Sequence, residues 1–107
     1  MIRKGEILVQ QIRQSLDTVE ETKSNLSKAL VAKPNDYHWR NRQAFKRTLE
    51  HQHLRGLELR LDMANAFISL ITDTNVQKKL TEIMEESRVL IADCRELLKQ
   101  AEDQGIY

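Results

Sequence analysis

The sequence predicts an all-α fold: an elongated up-down-up bundle of three long helices with coiled-coil-like packing. Three observations favour it. Along the last third of the chain, apolar residues recur at alternating steps of four and three, the repeat of a helix that packs lengthwise against another helix. Two clusters of residues that break or cap helices divide the chain into three periodic stretches. Aromatic residues make up only 5% of the chain and hydrophobic residues 40%, so the core must consist mainly of leucine, isoleucine and valine.

The first periodic stretch predicts a helix from about residue 2 to about residue 32. Its apolar seam is narrow, and Ile7 and Val31 lie off it. One seam position is Lys23, whose long side chain can reach out of a partly buried site. The predicted seam runs through Ile2, Gly5, Val9, Ile12, Leu16, Val19, Lys23, Leu26 and Leu30.

The second helix is predicted from about residue 37 to about residue 71. It follows a turn at residues 33–36, where Pro34 disfavours a helical Lys33 and where Asn35 or Asp36 can cap a new helix. A glycine inside a helix costs about 1 kcal/mol relative to alanine. If this helix is interrupted, we therefore expect the kink or break near Gly56.

The third helix is predicted from about residue 75 to about residue 104, after a turn at residues 72–75. Thr74 and Gln77 have the spacing of a capping box, and Gly105 is placed for a left-handed C-cap. The predicted seam consists of Val76, Leu80, Ile83, Ser87, Leu90, Cys94, Leu97 and Ala101. A second apolar line beside it consists of Met84, Ile91 and Leu98.

The second half of the middle helix has more apolar surface than two neighbouring helices need to cover. Its apolar residues span roughly 220° of the circumference at 100° per residue. An uncovered arc of this kind is typical of a surface that binds another protein or a second copy of the chain. The alternative is that loops, chain ends or long neighbouring side chains cover the excess. The candidate interface residues are Leu59, Ala66 and Leu70 on one flank and Leu61 and Ile68 on the other.

The first half of the middle helix is basic and suggests a second type of partner. Arginines can bind phosphates and aromatic rings can stack on bases, so a nucleic-acid interface is the alternative function. Its candidate residues are Arg40, Arg42, Lys46, Arg47, His51 and Arg55. On a helical projection, however, the basic side chains form two stripes rather than one face: Arg40, Arg47, His51 and Arg55 in one, and Arg42, Lys46, His53 and Arg60 in the other. Acidic residues of the other two helices can also balance these charges, which favours the protein-interaction hypothesis.

Motifs of catalysis, metal binding and cofactor binding give little further direction. Glu50 and His53 have the spacing of a di-iron bundle motif, but such a site needs the motif twice and two more glutamates. Arg47 and His53, with five residues between them, resemble the arginine–histidine pair of the HEPN family of small helical ribonucleases; that resemblance implies RNA cleavage by these two residues. We expect no metal, no cofactor and no catalytic residue.

Composition and cysteine count complete the expectation. A chain of 107 residues predicts a single helical domain over residues 1–107, and its formal net charge of +1 gives no strong attraction to nucleic acid or anionic membranes. No apolar run is long enough for a membrane span. Cys94 is the only cysteine, expected in the core of helix 3, and a cytoplasmic location is the default. The predicted function is a non-enzymatic protein–protein interaction module, such as an adaptor, a small chaperone-like protein or an assembly subunit, that self-associates as a homodimer.

Overall fold

A computed structural model describes residues 4–107, and all regular secondary structure in that range is helical. The all-α prediction is therefore confirmed; Ile2, the predicted start of helix 1, lies outside the described residues. The elements are α1 (Lys4–Val31), α2 (Tyr37–Arg40), α3 (Arg42–Thr48), a π-helical turn (Leu49–His53), α4 (Leu54–Phe67), a 3₁₀ turn (Ile68–Leu70) and α5 (Thr74–Asp103).

The predicted turn at residues 33–36 is confirmed. Helix α1 ends at Val31, and Asn35 adopts a left-handed conformation with φ of 81°. The backbone N–H of Asp36 donates to the carbonyl of Lys33 at 3.1 Å, and the carbonyl of Asp36 accepts from the N–H of Arg40 at 2.9 Å. Asp36 is thus the N-cap residue of α2, although its side chain makes no capping hydrogen bond.

The prediction of one continuous helix over residues 37–71 is wrong, and the interruptions do not fall at Gly56, where a kink or break is the expected alternative. Asn41 separates α2 from α3, a π-helical turn separates α3 from α4, and a 3₁₀ turn ends the segment, while α4 runs through Gly56. The spacing of the buried leucines explains the π-helical turn. Leu49 and Leu54 are five residues apart, and both are buried. A turn closed by i→i+5 hydrogen bonds keeps both leucines on the core side.

The start of α5 is capped by Asp73 rather than by the predicted capping box. The Asp73 carboxylate accepts hydrogen bonds from the backbone N–H groups of Asn75 at 2.9 Å and Val76 at 3.3 Å. The Gln77 amide instead donates to the Ile71 carbonyl, which ties the preceding turn to the helix. A carboxylate one residue ahead of Thr74 therefore takes the capping position.

The predicted C-cap at Gly105 is confirmed. Gly105 has φ of 80°, and its N–H donates to the Glu102 carbonyl at 2.9 Å. The next N–H, of Ile106, donates to the Ala101 carbonyl at 2.9 Å, which completes a Schellman motif. The Ile106 side chain is buried, so the motif also folds the end of the chain back onto the core.

The predicted seam of α5 is buried at all eight positions, together with Met84 and Leu98. The seam of α1 is partly shifted: Val9, Lys23 and Leu30 are only half-buried, and the residue before each one is buried instead. This follows from the position of α1, which contacts both the middle segment and α5 and therefore buries a broader face than one seam. The buried residues of α1 are Gly5, Leu8, Ile12, Leu16, Val19, Thr22, Leu26 and Ala29.

Cross-helix contacts give the direction of the long elements. Along α1 and α5 the contacts advance together, from Arg13–Glu86 at 3.2 Å to Lys23–Asp93 at 3.9 Å, so these two helices run in the same direction. Contacts of α1 with the middle segment advance oppositely, from Ser15–Arg60 at 2.8 Å to Thr22–His53 at 2.6 Å.

The described part of the chain measures 53 × 24 × 17 Å and is therefore elongated along its helices. None of its helices combines the length and apolarity that a membrane crossing requires.

Candidate protein-binding surface

The apolar side chains of α4 fall into a covered row and an uncovered row. The covered row packs into the core shared with α1 and α5, and it consists of Leu54, Leu57, Leu61 and Ala64. The uncovered row has steps of four, four and three residues, so its members lie along one line of the helix surface. It continues into the 3₁₀ turn and consists of Leu59, Met63, Phe67 and Leu70, which we call the apolar ridge.

The apolar ridge is open to solvent over its whole length. Leu59 is 64% exposed, Met63 47%, Phe67 46% and Leu70 70%. Single exposed leucines are common on protein surfaces, whereas four large apolar side chains in one line are not. The ridge therefore has the character of an unpartnered helix face.

A groove beside the apolar ridge extends this surface onto α1. The groove has a volume of about 460 Å³, and α1 contributes Ile7 and Leu8 to its wall. Met63, Phe67 and Leu70 of the ridge form the opposite wall. Ile7 is itself 38% exposed, in agreement with its predicted position off the seam of helix 1. The ridge and the groove together form one apolar surface at the end of the bundle where α1 begins.

The five predicted interface residues differ in their exposure to solvent. Leu59, Ala66 and Leu70 are exposed, and Ile68 is half-buried against the core. Leu61 is only 6% exposed and belongs to the core, so the prediction that it lies on an open flank is wrong. The reason is that the neighbouring helices cover one edge of the apolar arc, the edge that includes Leu61, instead of its centre.

Sequence reasoning missed Met63, Phe67 and Ile7 as members of the open surface. A signal for the two α4 residues was present. The residues of the covered edge alternate at steps of three and four, and they are Leu54, Leu57, Leu61, Ala64, Ile68 and Ile71. That repeat marks the seam of α4, and the large apolar residues outside it then lie on the open side.

The second predicted basic stripe is occupied by contacts within the chain. The Lys46 ammonium is buried, 3.1 Å from a carboxylate oxygen of Glu50 and 3.6 Å from one of Glu102. The Arg42 guanidinium lies 4.0 Å from the centre of the Trp39 ring. His53 and Arg60 contact α1 through hydroxyl groups. The contacts of Lys46 agree with the expectation that acidic residues balance part of the basic segment, whereas the other three side chains contact uncharged groups.

The first basic stripe faces solvent. Arg40, Arg47, His51 and Arg55 are all exposed, and they belong to α2, α3, the π-helical turn and α4 respectively. Within the described residues only His51 of these four has an acidic neighbour within ion-pair distance, with its Nε2 atom 3.3 Å from Glu50. The six residues of the nucleic-acid alternative thus comprise four exposed side chains and two, Arg42 and Lys46, that are half-buried and buried.

The weaker motifs do not assemble into sites. Glu50 contacts Lys46 and His51, whereas His53 contacts Thr22, so the two ends of the Glu50–His53 motif have different partners. The part of the chain that the structure describes holds no group of three or more side chains suited to a metal ion. Arg47 is exposed on the outer side, and His53 is half-buried against α1.

Cys94 is fully buried in the seam of α5, as predicted. Burial raises the pKa of the Cys94 thiol to about 11, with Lys23 acting in the opposite direction. A thiol with a raised pKa is a poor nucleophile at neutral pH, so the cysteine is a packing residue.

Comparison with known proteins adds no assignment: the chain matches no family model, no curated protein and no solved structure.

Proposed function

We propose that this chain is a non-enzymatic helical interaction module that self-associates through the apolar ridge and the adjoining groove. The observation that carries the proposal is the line of four exposed side chains, Leu59, Met63, Phe67 and Leu70. An adaptor, a small chaperone-like protein or an assembly subunit would use such a surface. The expected compartment is the cytoplasm, on the basis of the single cysteine.

In a monomer the four ridge side chains remain exposed to water, so the favourable free energy of burying them is not gained. A large aliphatic or aromatic side chain gains roughly 1.5–3 kcal/mol when it is fully removed from water. Side-chain ordering and loss of rotational and translational freedom oppose association, and several such side chains are needed to exceed that cost. Four on one helix line, with Ile7 beside them, supply that number.

A symmetric dimer is the simplest assembly for this surface. Twofold homodimers are the commonest closed oligomers, and in them the same patch of both subunits meets. A helix face can pack against its own copy in antiparallel orientation, with ridge side chains interdigitating. We propose that the chain itself is an up-down-up bundle of three long helical segments with coiled-coil-like seams, and that α4 uses its second, outer face for this contact.

The test is the molar mass in solution of two double variants with the same change in chemistry. Leu59→Glu with Leu70→Glu places two charges on the ridge, and we expect a folded monomer. Val31→Glu with Val89→Glu is the matched control, because these valines are 84% and 57% exposed on other elements. We expect the control to keep the wild-type mass by light scattering. Equal masses for both double variants and the wild type would contradict the proposal.

A second candidate function, nucleic-acid binding, is supported by the exposed stripe of Arg40, Arg47, His51 and Arg55. Phosphate contacts make such binding strongly dependent on salt concentration. If this function holds, Arg47→Gln with Arg55→Gln lowers affinity for single-stranded RNA and reduces the salt dependence. Lys28→Gln with Lys99→Gln removes two charges from other exposed positions and is the control. Absence of salt-dependent binding by the wild type would exclude this function.

A further inference from the structure

A polar cleft lies between α1 and the middle segment, on the side of α4 that bears Gly56. Its volume is about 300 Å³. The side chains that line it are Gln14, Ser15, Thr18, Gln52, His53 and Arg60, with Gly56 beside them. All six of these side chains can form hydrogen bonds, and none is a carboxylate. The cleft therefore combines two basic groups with neutral polar groups.

Arg60 differs from Arg13 and Arg95, two other arginines that contact neighbouring elements. Arg13 and Arg95 reach carboxylates of other helices, Glu86 at 3.2 Å and Glu58 at 2.9 Å. Arg60 instead donates from Nε to the Ser15 hydroxyl at 2.8 Å. Within residues 4–107 its two terminal nitrogens have no acceptor. The guanidinium is therefore held in place by a neutral group while its fork remains available to a ligand.

His53 is held at the cleft in a comparable way. Its Nδ1 atom lies 2.6 Å from the Thr22 hydroxyl, and that hydroxyl lies 3.2 Å from the Thr18 carbonyl. The ring therefore has a fixed partner on one nitrogen, and its Nε2 atom has none among the described residues. A ring oriented through one nitrogen presents the other to a ligand in a defined direction.

Ser15 adds a third donor. Its oxygen accepts the N–H of Arg60, so its own proton is free to be donated. Thr18 is different, because its hydroxyl donates to the Gln14 carbonyl at 3.0 Å. The hydrogen-bonding groups that remain available are thus the Ser15 hydroxyl on α1, the His53 Nε2 atom in the π-helical turn and the terminal nitrogens of Arg60 on α4. Because they belong to three elements, they reach the cleft from different sides.

Gly56 is one of the residues that line this cleft. A Cβ placed on Gly56 meets nothing within 4 Å, so no close packing requires a glycine there. Its helical position disfavours glycine, because glycine loses more backbone entropy than alanine. The π-helical turn ends three residues earlier, and such turns are frequent at functional sites. The glycine leaves open space beside the π-helical turn that a large side chain at position 56 would fill.

From this arrangement we propose that the cleft binds a phosphate group through Arg60, His53 and Ser15. A guanidinium fork can hold two oxygens of a phosphate, the hydroxyl can donate to a remaining oxygen, and the imidazole can do so in the form in which its Nε2 atom carries a proton. A tetrahedral oxyanion suits donors from three directions better than a planar carboxylate does. The site is separate from the apolar ridge, so phosphate binding and self-association can be tested independently.

The experiment is a ¹H–¹⁵N NMR titration of the full chain with inorganic phosphate, with chloride at equal ionic strength as the reference. We expect saturable shifts at the backbone amides of Ser15, His53 and Gly56 with phosphate and not with chloride. Arg60→Gln should abolish saturation, and Arg88→Gln, at an exposed arginine outside both the cleft and the basic stripe, should retain it. Chemical shift changes that are the same in phosphate and chloride, or that persist in Arg60→Gln, would contradict phosphate binding in this cleft.

Gly56→Leu provides a second variant that leaves both basic groups in place. Leucine is a good helix former, so we expect unchanged helicity by circular dichroism and loss of the phosphate shifts. Gly56→Ala, which adds only one carbon to open space, should retain them. Phosphate saturation that persists in Gly56→Leu would contradict the role of the cleft.

A single-stranded oligonucleotide distinguishes two sources of the phosphate. If it displaces inorganic phosphate from the wild type and causes no saturable shifts of its own at the cleft amides of Arg60→Gln, the ligand is a nucleic-acid backbone. If it does not displace phosphate, the ligand is a free or small-molecule phosphate.

Discussion

The Nδ1 atom of His53 lies 2.6 Å from the Oγ1 atom of Thr22, and this contact joins the π-helical turn to the middle of α1. Thr22 is 6% exposed, whereas its neighbour Lys23 is half-buried and reaches Asp93 at 3.9 Å. The polar contact therefore lies inside the interface between α1 and the middle segment, next to the leucines of the core.

Thr22→Val should destabilise the protein by about 1 kcal/mol, because it leaves the His53 ring without its partner while keeping the side-chain shape. Thr18→Val is the control, since Thr18 is exposed and bonds only within its own helix, and it should stay within about 0.5 kcal/mol of wild type. Urea denaturation measures both. A Thr22→Val protein at least as stable as wild type would show that the contact contributes nothing.

Leu90→Ala and Leu97→Ala should each lower the free energy of unfolding by about 2–5 kcal/mol. Both leucines are in the α5 seam, at 7% and 8% exposure. Val89→Ala, at a 57% exposed position directly before Leu90, should have an effect of about 0.5 kcal/mol or less. Denaturation midpoints that do not separate the two leucines from Val89 would show that the seam is not the core.

Gly56→Ala should stabilise the protein by about 1 kcal/mol, because it removes a helix-interior glycine and meets nothing within 4 Å. Gly5→Ala is the informative comparison. There the new Cβ would lie 2.6 Å from Cγ1 of the buried Val76, so the expected gain is lost to overpacking. Thermal denaturation of both variants checks this, and stabilisation of equal size would contradict the close approach of α1 and α5.

Stability should fall as the pH rises from about 9 towards 11, owing to Cys94. The ordinary pKa of the thiol is 9.0, and burial raises it to about 11 in the folded protein. Above pH 9 the unfolded chain loses the thiol proton first, so the stabilising contribution is lost through this range. Cys94→Ala should make the pH dependence of the urea midpoint between these values shallower. An unchanged pH dependence in the variant would contradict this origin.

The regular parts of the fold could be predicted from the sequence because local chemistry determines them. Aliphatic residues at steps of three and four identify the α5 seam, and a glycine with positive φ ends that helix at Gly105. The π-helical turn could not be predicted in the same way. Residues 49–53 contain no glycine or proline, and the turn depends on keeping Leu49 and Leu54 in a core formed with distant helices.

The sequence predicts how much apolar surface α4 has, but not which part of that surface is exposed. The sequence indicates that α4 is apolar over most of its circumference. Which edge of that arc is covered depends on where α1 and α5 lie, and this is tertiary information. For that reason the sequence predicts Leu59, Leu70 and Leu61 alike on open flanks, whereas in the structure Leu59 and Leu70 are exposed and Leu61 is buried. The polar cleft beside Gly56 joins Ser15 to Arg60, residues 45 positions apart, and no local pattern brings them together.

The central claim, self-association through the apolar ridge, is tested most directly by sedimentation equilibrium of the wild-type protein over a range of concentrations. The account predicts a mass that rises with concentration to twice the 12.5 kDa of the chain, as expected for a dimer. A mass of 12.5 kDa at every concentration would contradict it.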